Sequence, residues 1–132
     1  MAHQEHVEIV RRGNDAINAW IERNPEATLD LSGAYLGGRE LRKANLSGAD
    51  LRMAILDSTE LRGADLRAAD LRGVKGMHAN LFNADLRGAN LSGSDLSFCL
   101  MSGADFRGAN LSNVNLSGSC LSSANLEGAD CS

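Results

Sequence analysis

From position 31 to position 131 every fifth residue is apolar or small, and seventeen of these twenty-one positions are Leu. The exceptions are Gly76, Met101, Phe106 and Cys131. Two residues before each of them the side chain is nearly always small, with Ala34, Ala44, Ala64, Ala84 and Ala104 typical. Most of the remaining copies carry Ser, Thr, Val or Cys there, and Arg39 breaks the rule. No insertion or deletion disturbs the register. A period of five fits neither the 3.6 of an α-helix nor the 2 of a strand, so the backbone must repeat a short extended segment and a turn.

Such a chain can close a square if each five-residue unit forms one side. The large residue then points inward from the middle of a side, and the small residue packs at the corner. Gly two positions after Leu, as at Gly48, Gly88 and Gly128, suits a tight corner. Four sides give twenty residues per coil, and coils stack at the inter-strand spacing of about 4.8 Å with backbone hydrogen bonds between them. The units Leu46-Ser-Gly-Ala-Asp, Leu61-Arg-Gly-Ala-Asp and Leu126-Glu-Gly-Ala-Asp resemble the A(D/N)LXX motif of the pentapeptide-repeat family. That resemblance implies an all-β solenoid, a right-handed quadrilateral β-helix. Residues 29–132 are expected to form about five coils, and residues 1–28 a capping helix and lead-in.

Val7, Val10, Ile17, Trp20 and Ile21 lie near helical spacing and Asn24-Pro25 supplies a stop, which predicts one helix over residues 4–23. Repeat stacks need their end layers covered, so Val10, Ile17, Trp20 and Ile21 are assigned to a cap. At the other end Leu121, Leu126 and Cys131 run on without a capping helix. Two readings stay open there: an end-to-end homodimer through these residues, or simple fraying of a polar terminus. The family resemblance implies the first, because several members dimerise through their C-terminal coils.

With twenty residues per coil, positions twenty apart share a column. Asp65, Asp85 and Asp105 then stand beside Arg67, Arg87 and Arg107, and Asp50 and Asp70 beside Arg52 and Arg72, a mutually neutralising ladder. Elsewhere the polar rule fails. Ile55 and Leu100 replace the usual Asp or Asn, Met77, Phe82 and Phe98 occupy outward positions, and Phe98 should stack over His78. An exposed apolar cluster of this kind marks a protein contact. The competing reading turns these residues inward, to fill the space left by Gly76.

Composition and charge narrow the function. Aromatic residues make up only 4% of the chain, and no long apolar run or signal-like start is present, so a cytoplasmic location away from membranes is expected. His3, His6 and His78 are scattered, and no acidic or Cys cluster has ligand spacing, so neither enzyme activity, metal nor cofactor is expected. The three cysteines read as small apolar fillers. The net charge of −4 sits mostly in the first thirty residues. The resemblance also admits a DNA-mimic inhibitor of gyrase that protects against quinolones, which needs dense uncompensated negative charge. The repeat region, with ten bases against eleven acids, lacks it. Direct nucleic-acid binding is not expected either, since the Arg residues come paired with Asp. The favoured expectation is a rigid protein-interaction scaffold for a protein partner of unknown identity.

Overall fold

A computed structural model describes residues 2–132 and shows the quadrilateral β-helix. Parallel backbone pairing joins residues exactly one coil apart, from Asp30 with Asp50 to Asn110 with Asp130, always twenty positions away. The hydrogen bonds follow a fixed rule: Leu31 N–H donates to Asp50 O at 2.7 Å and Asp50 N–H to Leu29 O at 2.9 Å. We number the four faces by their first inward residue: Leu31, Leu36, Leu41 and Leu46 open the first to fourth faces.

The inward column is dry. Leu31, Leu36, Leu51, Leu86, Met101 and Phe106 are fully buried, and each buried side chain of this size stabilises the fold by roughly 1.5–3 kcal/mol. The small corner residues, Ala44, Ala64 and Ala104 among them, are buried as well. A larger side chain there would force neighbouring sides apart.

Every one of the twenty corners from residue 33 to residue 128 has a positive φ at its third residue. Together with the bond from the fourth N–H to the first carbonyl, as in Ala34 to Leu31 at 3.0 Å, this makes type II turns. Glycine is the residue that takes this conformation without steric cost. Nine corners nevertheless carry another residue, and Met53, His78 and Phe98 are the bulkiest of them.

At the corner between the second and third faces the small residue is often a hydrogen-bond donor. Thr59 Oγ1 donates to Leu36 O at 2.9 Å, Cys99 Sγ to Gly76 O at 2.9 Å, and Ser119 Oγ to Leu96 O at 2.5 Å. Cys99 is therefore buried as expected, but it is more than a filler: it satisfies a carbonyl, and burial pushes its thiol up to about 11. Cys120 is half-buried and Cys131 exposed, so the filler reading fails for these two.

The cap differs from the sequence expectation. Two helices replace one, α1 (Gln4–Arg12) and α2 (Asn14–Arg23). Gly13 separates them with φ 100° and ψ −169°, a backbone that a helix cannot continue through, and its N–H caps Val10 O at 3.1 Å. Val10, Ile17 and Trp20 are buried over the first coil, and Ile21 is partly buried. The break lets both helices lay an apolar face on the same layer. His6 ties the cap to the coil: its Nδ1 accepts the Asp30 N–H at 2.8 Å, and its ring stacks on His3 at 4.2 Å.

At the far end the last coil is less covered. Leu121 is partly buried, Leu126 is 40% exposed and Cys131 is exposed. Among the described residues the N–H groups of Leu116, Leu121 and Leu126 have no backbone partner.

Candidate functional site

The apolar exceptions face solvent. Phe98 is 52% and Leu100 55% exposed, and Met77 and Phe82 are also exposed, while Ile55 is half-buried. The alternative in which they turn inward does not hold, because Gly76 leaves no room to fill. Leu96, from the next coil, already occupies that space, with Cδ2 2.9 Å from where a Gly76 Cβ would stand. The residual void beside it is only about 10 Å³.

The cluster is built on the corner between the second and third faces. Phe98 stacks on His78 with ring centroids 5.4 Å apart and planes 20° from parallel. Both residues sit at the third turn position, with φ 58° and 64°. A bulky side chain in the left-handed region costs of order 1–3 kcal/mol and persists only where its surroundings enforce it. The turn that carries Phe98 is also unlike the others. Among the twenty it alone lacks the direct bond, and the Ser119 hydroxyl bridges it, accepting from Cys99 N–H at 3.0 Å and donating to Leu96 O.

Next to this corner lies the third face. Leu100 follows Asn80 in its column, and Phe82, Leu100, Asn80, Arg62 and Ser102 line a hollow of about 300 Å³. The Arg62 guanidinium lies 5.9 Å from the Phe82 ring centroid, within cation–π range. Below Leu100, Cys120 Sγ is 3.2 Å from Ser102 Oγ and 3.5 Å from Ser122 Oγ. These hydroxyls, Ser102 foremost, stabilise the thiolate and bring its pKa down to about 7.

Sequence reasoning missed Tyr35 and Met53, each 61% exposed. Tyr35 pairs with Ile55 one coil on and occupies the same Asp/Asn position, so the column rule that singled out Ile55 also identifies Tyr35. Met53 sits at a glycine-type turn position and lies against Gly73, where a side chain would collide with its sulfur.

The charged faces behave differently. On the first and fourth faces Asp50, Asp65, Asp70, Asp85 and Asp105 each accept both the backbone N–H and the guanidinium of the Arg two residues on. The closest guanidinium contacts are 2.6–2.7 Å, and the Arg hydrogen bonds hold these carboxyls below the usual aspartate range. Longer contacts of 3.8–3.9 Å reach the next coil, from Arg52 to Asp70, Arg67 to Asp85 and Arg87 to Asp105. The ladder is thus self-neutralising.

Among the described residues no group of three His, Cys, Asp or Glu is placed to hold a metal ion, and no helix is long and apolar enough to cross a membrane.

Comparison with known proteins agrees with this geometry. The profile of pentapeptide repeats matches eight copies, over residues 30–73, 59–97, 79–118 and 89–128. No curated protein is significantly similar in sequence. Among solved structures, the pentapeptide repeat protein Rfr23 from the cyanobacterium Cyanothece is 34% identical with a TM-score of 0.52, over 81% of this chain and 67% of that one. A second, from Nostoc, is 29% identical with a TM-score of 0.50, over 83% and 76% of the two chains. QnrB1, a plasmid-mediated fluoroquinolone resistance protein, is 23% identical with a TM-score of 0.41 over 70% and 62%, a likeness of fold alone. The chain belongs to the pentapeptide repeat family.

Proposed function

We propose that this protein is a non-enzymatic, cytoplasmic interaction scaffold, a rigid rod that presents the Phe98–His78 corner and the adjoining Leu100 and Phe82 to a protein partner. The observation that carries this reading is the strained aromatic pair. Two bulky rings are held outward in a backbone conformation suited to glycine, where a smaller residue would fold more easily. Selection for stability alone disfavours that arrangement, and selection for a contact surface accounts for it.

The test is capture of partners on immobilised protein with a photo-crosslinker placed at position 77, compared with the Phe98→Asp and Leu100→Asp variants. A partner crosslinked by the parent and lost from both variants, with folding intact by circular dichroism, supports the reading. Partners retained by both variants would move the contact to another face.

A homodimer through the uncovered last coil is compatible with this role and is tested by light scattering of the parent against Leu126→Lys. The alternative function, DNA mimicry toward gyrase, is opposed by the five Asp–Arg pairs, since a basic DNA groove would meet guanidinium groups along two faces. A supercoiling assay decides it: inhibition by micromolar protein would put mimicry first.

A further inference from the structure

The third face differs from the ladder faces in the length of its acids. Its acidic positions hold Glu40 and Glu60, where the first and fourth faces hold Asp. The added methylene changes what the carboxylate can reach. Glu40 Oε1 and Glu60 Oε1 still accept the backbone N–H of Arg42 and Arg62, at 3.3 and 3.0 Å. Their guanidinium contacts, however, lengthen to 3.5 and 3.8 Å, and neither Arg42 nor Arg62 donates a side-chain hydrogen bond to its acid. The five ladder guanidiniums are fully engaged by comparison, at 2.6–2.7 Å. Arg62 leaves its acid loosely held and leans over Phe82.

Charge is sorted in the same way. Arg39, Arg42, Lys43 and Arg62 face only Glu40 and Glu60 on the third side and its corners, whereas the other sides of the coil carry more acids than bases. All of these bases are exposed. Beyond residue 62 the third face carries no charge and becomes the hollow between Phe82 and Leu100. A guanidinium with free donors and an apolar hollow therefore lie side by side.

We infer that the third face binds an extended peptide segment of a partner protein in which an acidic residue neighbours a large apolar one. The carboxylate is taken by Arg62, with Arg42 one coil away as a second donor, and the apolar side chain fills the hollow against Phe82 and Leu100. Guanidinium and carboxylate match as a planar, two-bond pair, and a hydrogen bond to a charged group is about twice as strong as a neutral one. This inference rests on the scaffold reading and adds the chemistry of the partner and its direction along the rod, acid toward the capped end.

The experiment is selection of a displayed random nonapeptide library on the full-length protein, followed by affinity measurement of the enriched peptides. Peptides that pair Asp or Glu with Leu, Phe or Trp are expected. They should bind Arg62→Gln about tenfold more weakly or worse, lose binding to Leu100→Asp, and bind the ladder variant Arg67→Gln unchanged. Enrichment of apolar peptides without acids, bound equally by Arg62→Gln, would overturn the inference and leave the scaffold reading in place. Failure to enrich any peptide would overturn it too, and the crosslinking experiment would then judge the scaffold reading separately. Binding of a fluorescent 20-mer oligonucleotide that is lost on Arg42→Gln/Arg62→Gln would overturn it in favour of a nucleic-acid partner.

Discussion

Phe98 lies on His78 at 5.4 Å between ring centroids, and both residues occupy left-handed turn positions. Replacing Phe98 by Gly relieves the turn strain and removes a stacking contact of about 0.5–1.5 kcal/mol. The two effects oppose each other. Phe98→Gly should therefore leave the thermal midpoint within a few degrees of the parent, or raise it, while abolishing partner capture. A large drop in midpoint would mean that the ring is part of the fold's support.

Ser119 bridges the open turn under Phe98. Ser119→Ala removes the relay, leaving the Cys99 N–H either unpaired or drawn back to Leu96 O. We expect a loss of about 1–2 kcal/mol in denaturant unfolding, with faster amide exchange at Cys99. Unchanged exchange there would show that the direct bond replaces the relay without cost.

Gly76 stands where the repeat has Leu, and the gap is taken by Leu96. Restoring the repeat with Gly76→Leu should destabilise by about 1–3 kcal/mol through overpacking. Adding Leu96→Ala should recover part of that loss, which a double-mutant cycle would read as coupling. Stabilisation by the single substitution would contradict the packing described.

Acid should loosen the molecule in two stages. His6 is held below its ordinary 6.5, by burial first and then by His3, and its neutral Nδ1 accepts the Asp30 N–H. Its contribution is complete above 6.5 and is lost as pH falls from there through its folded value. The ladder aspartates are held below 3.8, so theirs is complete above that value and fades further down. Being exposed, each pair is worth at most about 1 kcal/mol. Amide exchange in α1 and α2 should quicken first, and His6→Gln should remove that early stage. Coil exchange that rises together with the cap near pH 6 would contradict the order.

Cys120, beside Ser102 and Ser122, should alkylate with iodoacetamide at pH 7.5 well before the buried Cys99, as peptide mass spectrometry would show. The Cys120 rate should climb through about pH 7, and Ser102→Ala should shift that profile upward.

Much of this architecture is legible in the sequence because a five-residue period makes position equivalent to place. Counting by twenty puts Phe98 over His78 and Leu100 after Asn80, as the structure has them. What escaped has a local cause. The break at Gly13 depends on one backbone angle rather than on periodicity. The filling of Gly76 by Leu96 depends on a side chain of the next coil. The looseness of Arg62 against the grip on Arg67 depends on one methylene, which a pattern of charges does not register.

Because twenty residues return the chain to the same side, the protein can change length in only two ways. A gain or loss of five residues keeps every Leu inside, yet it rotates all that follows by a quarter-turn and carries Phe98 away from His78. A gain or loss of twenty leaves each surface where it was. Tolerance of five-residue changes by the core and intolerance of them by the contact surface would separate the two roles of the same sequence in a single deletion series.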